Sequence, residues 1–492
     1  MGRSVWGRRR GLLHFGRYGE ILSVLARYGF GDVLSSLNLE KYVAFPRRIA
    51  GARKARALAS RTSRWERIRL ALEDLGPSFV KLGQFLAGRR DMLPAHITDE
   101  LAKLHDSARP FDAADARTIV ERELKRPLAD IFAEFNDNPL ASASIAQVHA
   151  ATLHGGDKVA VKIQRPNIQH TISTDIDILF HMAALAERYH EYARAFRLRE
   201  LVEEFERTIH RELDFSAEAR HMQTFRRNFA DDGRVYIPKV YGDVSTSRVL
   251  VAEIVDGVKV TDVDELKKRG IDLKRLAMTG AEITLTQIFK HGFFHGDPHP
   301  GNILVRSDSS ICLLDCGAVG IIPETMRYHI SGILYGVVTR DSERIVRTLV
   351  RLSQRPIDDM RSLEYEIAEF IEEYSALPIK DIRVGQVLSR FAAMVVHHNL
   401  EIIPGFYLLV RAIVTIESIG RQLDPDFNMI EHIEPHVRRI VYHNPRLKHL
   451  PFDAYFAVAD LASLLRDLPF DFKDMMRMVK GGGTRIQFEH RG

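Results

Sequence analysis

Cysteine is scarce in this 492-residue chain. Only Cys312 and Cys316 occur, so no disulfide framework staples the fold, and a reducing compartment is the expectation. Both thiols read as small buried hydrophobes. Long apolar runs are missing as well. A spanning helix needs about 18 uninterrupted apolar residues, and the best stretches, such as "ISGILYGVVT", stop near half that length, so no bilayer crossing is expected. After the N-terminal "GRRRGLLHF" no long apolar segment or small-residue cleavage site follows, which argues against a secretory signal. Internal repeats and low-complexity tracts are absent too. What remains is a globular chain long enough for two or three domains.

Acidic residues are few at one end. Through residue 70, 16 Lys and Arg face 4 Asp and Glu, a net of +12, while the rest holds 54 against 61, a net of −7. The basic cluster "RRIAGARKARALASRTSRWERIR" is either a solvated helical face or suits an anionic membrane surface, where each nearby cation adds about 1 kcal/mol. Nucleic acid is the third option, but neither an aromatic platform nor zinc-finger spacing supports it, and no nucleic-acid partner is expected.

Residues 1–110 read as a helical extension. In "LGPSFVKLGQFLAGRRDMLP", Phe79, Leu82, Phe85 and Leu86 recur at helical spacing, Pro77 suits a first turn and Pro94 marks a stop. Another helix is expected near "AADARTIVERELKRPLADIFAEF". From about residue 139 the period becomes that of strands: in "DKVAVKIQRP", Val159, Val161 and Ile163 point one way and Ala160, Lys162 and Gln164 the other. Helices resume at "LRELVEEFERTIHRELDFSAEARHMQTF", "RVLVAEIVDGVKV" reads as a buried strand and a turn, and the remainder is helical apart from a hairpin in "NILVRSDSSICLLD". The expected class is α+β, with a small sheet-containing lobe at 111–258, a larger helical lobe at 259–440 and a helical tail at 441–492.

The densest chemistry stands in "HGDPHPGN". His295, Asp297 and His299 alternate, which matches neither a helical zinc motif nor any nearby cysteine partner. Asp297 is followed five residues later by Asn302, and Asp315 in "LLDCG" follows the hairpin. Phosphoryl transfer needs a carboxylate at the attacking group, plus an amide and a second carboxylate holding Mg²⁺ on the phosphates. Asp297, Asn302 and Asp315 supply that set in the order of a kinase catalytic loop. Lys162 in "VAVK" matches the strand lysine that grips the phosphates. Alone it would pass for a surface lysine, but it lies upstream as required. Before it, where a kinase has G-x-G-x-x-G, stands "PLASASIAQVHAA", with Ala141, Ala143 and Ala146 in place of glycines; alanine stays small but loses easy access to φ > 0.

These motifs, with "KLGQ" at Lys81 to Gln84 and "ELD" at Glu212 to Asp214 followed by Glu218, resemble the UbiB family of atypical kinase-like proteins, associated with ubiquinone biosynthesis, over about residues 60–430. The resemblance implies a bilobal kinase-like fold whose extension covers the active site. It implies that Lys162 pairs with Glu218, that Asp297 takes the catalytic-base position and that Asn302 and Asp315 ligate Mg²⁺. ATP would be bound by Ala141, Ser142, Ala143, Ser144, Ile145, Ala146, Val148, Lys162 and Glu253. Lys81, Gly83 and Gln84 would cover the site, with Lys81 near Glu212 and Asp214. On a regular helix residues two apart face different sides, so either a helix boundary falls near Asp214 or one carboxylate alone reaches Lys81.

After "DCGAVG" a helical segment begins almost at once, with no long activation segment and no A-P-E, so a protein substrate is not expected. The expected function is an ATP- and Mg²⁺-dependent kinase or ATPase that supports prenylquinone synthesis, with quinone precursors and quinone-biosynthesis enzymes as partners. Its expected place is peripheral, on the cytoplasmic face of a bacterial inner membrane. A small-molecule kinase with a similar H-G-D-x-x-x-x-N loop and a catalytically silent nucleotide-binding scaffold remain alternatives. Bacterial members commonly end in two membrane-spanning helices, whereas this chain finishes "DFKDMMRMVKGGGTRIQFEHRG".

Overall fold

The computed structural model describes residues 15–36, 62–89, 93–104, 108–352, 359–375, 377, 382–398, 400 and 405–433. The expected tail at 441–492 and the basic stretch 47–61 lie outside the described residues. Among those described, no helix is long and apolar enough to cross a membrane.

The extension contains α1 (Phe15–Arg27), α2 (Arg64–Leu75), α3 (Pro77–Ala87) and α4 (Ala95–Leu101). The Ser63 hydroxyl accepts the Glu66 N–H at 3.1 Å and so caps α2. Gly76, at φ +95°, makes the turn into α3, where Pro77 occupies the first helical position as its fixed φ allows. Pro94 does not stop this helix. It is the N-cap of α4, and α3 has already ended at Ala87.

Helix α5 (Ala113–Leu124) ends earlier than its sequence period implies. Lys125 adopts a left-handed φ of 54° and Pro127 follows, so "PLADIFAEF" leaves the helix, and β1 (Phe132–Ser142) begins some seven residues before the expected change of texture. Strands β2 (Ala146–Leu153), β3 (Lys158–Gln164) and β5 (Val249–Glu253) complete an antiparallel sheet in the order β1-β2-β3-β5. Val159, Val161 and Ile163 are fully buried against Ala116, Ile119 and Val120 of α5. Alternation then sends Lys162 to the opposite face, towards the second lobe.

Helices α6 (Ile168–Tyr189), α7 (Leu198–Glu212) and α8 (Phe215–Asn228) are inserted between β3 and β5. The extension packs on α6: Tyr18, Ile21, Leu22, Leu75 and Phe79 share a cluster with Ile178, and Arg17 bonds the fully buried Asp175 carboxylate at 2.8 Å.

The larger lobe is less purely helical than expected. Strands β4 (Val235–Tyr236), β6 (Val258–Lys259), β8 (Ile303–Val305) and β9 (Ile311–Leu313) form a sheet in the order β4-β9-β8-β6, and β7 (Phe293–His295) pairs with β10 (Val319–Ile321). Strands of two or three residues are too short to show a period. Around them stand α9 (Leu273–Leu285), a π-helical turn (Thr286–His291), α10 (Glu324–Thr339), α11 (Ser342–Leu352), α12 (Met360–Ser375), α13 (Val384–His397) and α14 (Phe406–Leu423). One core joins α9 and α14 to the small strands and to α7 and α8, while α11, α12 and α13 enclose a second.

Candidate active site

Three chain segments meet at Lys162. Its Nζ donates to Glu218 Oε1 at 3.0 Å and Oε2 at 2.8 Å, and to Asp315 Oδ2 at 3.3 Å. Glu218 lies in the first turn of α8, whose N-cap is Asp214; the Asp214 carboxylate accepts the Ser216 N–H at 3.0 Å. The cap thus fixes where α8 starts and which way Glu218 points. Burial penalises the Lys162 ammonium, yet Asp315 and Glu218 outweigh it and hold its pKa above the usual lysine range. Burial pushes Glu218 up to about 7. For Asp315 burial acts upward, but Lys162 and the Gly317 N–H, 2.8 Å from Oδ1, keep the carboxyl well below the ordinary range. This side chain is ionised across physiological pH.

Asp315 and Asn302 are brought together by the hairpin. Ile303 pairs with Leu313 across β8 and β9, so Asn302 lies opposite Leu314, whose N–H donates to the Asn302 carbonyl at 2.9 Å. Magnesium takes oxygen ligands and one or two carboxylates, and an Asn amide beside a permanently ionised Asp fits that preference. These two residues would hold the ion, which when bound neutralises charge on transferring phosphates.

His295 organises the loop. Its Nδ1 accepts the Asp297 N–H at 3.1 Å and its Nε2 donates to the Asp315 carbonyl at 2.5 Å. Burial keeps the ring pKa down, so a neutral ring bridges the Asp297 loop and the segment after β9 that carries Asp315. Gln287, in the π-helical turn, accepts the His295 N–H at 2.9 Å. His299 accepts the Gly301 N–H at 3.1 Å and caps the short turn containing Asn302.

Asp297 meets a residue that the motifs did not indicate. Arg411 of α14 donates from Nη2 to Asp297 Oδ2 at 2.7 Å. One turn earlier on α14, Leu408 packs on Gly296, where an added Cβ would lie 3.1 Å from Leu408 Cδ2 and 3.2 Å from its Cβ. Helix α14 therefore docks directly on the loop that carries Asp297.

The remaining expected residues form two groups. Ala141 and Ser142 end β1, Ala146 begins β2, and Ala143, Ser144 and Ile145 make a tight turn closed by the Ala143 N–H on the Ala146 carbonyl at 2.8 Å. Val148 lies beside Lys162 in the β2/β3 register. Glu253 ends β5; its carboxylate accepts from the Tyr236 hydroxyl at 2.7 Å and the Lys239 N–H at 3.1 Å, and its own N–H goes to the Lys239 carbonyl. Among the residues expected to cover the site, Lys81 Nζ lies 3.0 Å from Glu212 Oε2, and α7 ends at Glu212, so a helix boundary does separate Glu212 from Asp214. Asp214 also faces Arg220 at 3.5 Å. Gln84 donates to the Leu104 carbonyl at 3.3 Å, and Gly83 admits Leu104, whose Cδ1 would lie 2.2 Å from a Cβ at this position. Cys312 and Cys316 are buried outright.

A strand lysine paired to a helix glutamate, facing an Asp and Asn beside a catalytic loop, is the kinase arrangement. Comparison with known proteins agrees. The ABC1 atypical kinase-like domain matches residues 103–349, and the UbiB helical domain matches 367–428. The chain belongs to the UbiB family of atypical kinase-like proteins. The "Probable protein kinase UbiB" of Pseudomonas fluorescens (strain SBW25) is 37% identical over 433 residues, covering 87% of this chain and 81% of that protein. Its counterpart in Pseudomonas putida (strain W619) is 38% identical over 433 residues, covering 87% and 80%. A Mycobacterium tuberculosis protein, solved as its erythromycin complex, aligns over 70% of this chain and 87% of that one, at 22% identity and a TM-score of 0.49. In family terms, the kinase-like domain brings Lys162, Glu218, Asn302 and Asp315, and the helical domain brings Arg411.

Proposed function

We propose that the chain binds Mg-ATP in the cleft between its lobes and hydrolyses it, or transfers its phosphoryl group, in support of prenylquinone (ubiquinone) biosynthesis at an anionic membrane surface. The observation that carries the reading is the Lys162 ammonium held between Glu218 and Asp315. Lys162 grips the α and β phosphates, Asn302 and Asp315 hold Mg²⁺, and Asp297 faces the attacking oxygen. A cover supplied by α3, together with the early start of α10 at Glu324, favours water, a lipid or a quinone precursor as acceptor over a protein. Family membership supports the link to quinone synthesis. The basic N-terminal region supports a peripheral site on the cytoplasmic face of a bacterial inner membrane.

The test is turnover of Mg-ATP by the full chain, alone and with vesicles containing anionic lipid or a phenolic quinone-precursor mimic, with phosphorylated products sought alongside. Turnover raised by those vesicles supports the whole proposal; lipid-indifferent turnover overturns the membrane part, and stoichiometric transfer to small alcohols would favour a small-molecule kinase. Asp315→Asn should abolish turnover, because it removes a metal ligand and a Lys162 partner. Unchanged activity would sink the site assignment.

A further inference from the structure

Arg165 stands immediately after the strand that carries Lys162, and its guanidinium points back at the alanine-rich loop. Its Nε donates to the Ala143 carbonyl at 2.9 Å, and its Nη2 to the Ser142 hydroxyl at 2.9 Å and the Arg109 carbonyl at 2.6 Å. Its backbone N–H reaches the Ile145 carbonyl at 2.9 Å. Both sides of the loop tip are therefore tied to one residue. The guanidinium also lies 5.6 Å from the Phe111 ring centroid.

The segment at 108–111 is tied to the loop a second time. Ala108 N–H donates to the Ser142 carbonyl at 3.3 Å, and the buried Gln147 of β2 accepts the Phe111 N–H at 2.9 Å and returns a bond to its carbonyl at 3.2 Å. Upstream in the same part of the chain, Leu104 is where Gly83 and Gln84 of the cover are anchored. A glycine-rich kinase loop is free to fold down on phosphates; this loop is tethered instead to the chain that leads from the cover. At its tip, Ser144 is 3% exposed and its hydroxyl has no hydrogen-bond partner among the described residues, a polar group a ligand oxygen would satisfy.

We infer that Arg165 is a positioning residue for nucleotide: by clamping the alanine-rich loop to the 108–111 segment it fixes the loop in its nucleotide-receiving posture, so nucleotide affinity depends on this clamp. The inference rests on the proposed Mg-ATP reading of the cleft. The bonds of Arg165 run to the loop and to the 109 carbonyl, so its effect falls on binding and not on the chemical step. Only the planar guanidinium reaches the three acceptors at once; a lysine ammonium, a point charge on a flexible stem, does not reproduce that fork.

The experiment compares wild type, Arg165→Ala and Arg165→Lys, as full chains, for Mg-ATP dissociation constant, kcat, KM and amide hydrogen exchange at 108–111 and 141–146. Arg165→Ala should weaken Mg-ATP binding roughly tenfold, about 1.4 kcal/mol, leave kcat within about twofold, and speed exchange in both segments without nucleotide. Arg165→Lys should recover less than half of that loss. Wild-type affinity in Arg165→Ala, or a fall in kcat at unchanged KM, would overturn the inference, since a merely structural residue lowers the active fraction and not the affinity of what remains. If wild type itself binds no Mg-ATP, the reading of the cleft fails, and the exchange measurement still decides whether the clamp exists.

Discussion

Replacing Arg411 by alanine separates positioning from stability. The ion pair with Asp297 is part-exposed, with side-chain exposures of 39% and 32%, and such pairs contribute about 0.2–1 kcal/mol to folding. In a chain of 492 residues, with an unfolding entropy of about 2 cal/mol/K per residue, that amounts to a fall in Tm of roughly 1 °C at most. The consequence for chemistry should be far larger. Oδ2 of Asp297 is held at 2.7 Å by Arg411, while its N–H is held by His295, so side chain and backbone of this residue are fixed from two directions. Without the guanidinium the carboxylate is free to rotate, and a misplacement of about 1 Å at a reacting group costs on the order of a hundredfold in rate, or about 2.7 kcal/mol. On the proposed roles, Arg411→Ala should therefore lower kcat of Mg-ATP turnover by one to two orders of magnitude, while KM for nucleotide, assigned to Lys162, Asn302 and Asp315, moves little. Arg411→Lys keeps the charge but loses the planar donor and should fall between. Steady-state kinetics beside a thermal melt checks this. A variant with wild-type or raised kcat would refute the reasoning and make the contact either incidental or inhibitory.

Glu218 and Glu417 give two further expectations. Because burial raises Glu218 to about 7, its contribution to fold stability is largest where it is protonated, below the ordinary carboxyl range, and fades as pH rises to about 7. Nucleotide binding runs the other way, since protonation on the descent through about 7 removes the charge that steers Lys162; KM for Mg-ATP should rise below neutrality, and Glu218→Gln should flatten that dependence. A wild-type KM constant from about pH 6 to about pH 8 would contradict this. Glu417, buried in α14, accepts the Val384 and Gly385 N–H groups at 3.0 Å each and so caps α13. Glu417→Ala leaves those buried donors unpaired and should cost about 1–3 kcal/mol in denaturant unfolding, whereas a cost under half a kcal/mol would mean that water replaces the carboxylate.

How legible these features were in the sequence follows from the distance over which each is encoded. The alternation at Val159, Val161 and Ile163 placed Lys162 on the cleft face without any tertiary information, because one buried side of a strand dictates the other. The spacing of Asp297, Asn302 and Asp315 was legible because a two-strand hairpin supplies the whole geometry, with Ile303 opposite Leu313. The start of β1 was not: "PLADIFAEF" keeps an apolar pattern that fits a helix, and only the left-handed Lys125 and Pro127 end it. Arg165 was hidden for another reason, since its partners are mainly backbone carbonyls at 109, 143 and 145, which carry no residue signature. Arg411 lies 114 positions from Asp297, on a helix whose sequence "FYLLVRAIVTIESIGRQL" reads as ordinary apolar core with an occasional charge. One local feature makes room for that approach. Gly296 holds the middle place of H-G-D, where the kinase catalytic loop has H-R-D, and a residue with no side chain beside Asp297 leaves room for something to approach. Leu408 fills that room and brings Arg411 with it. The docking of α14 is thereby coupled to the orientation of Asp297.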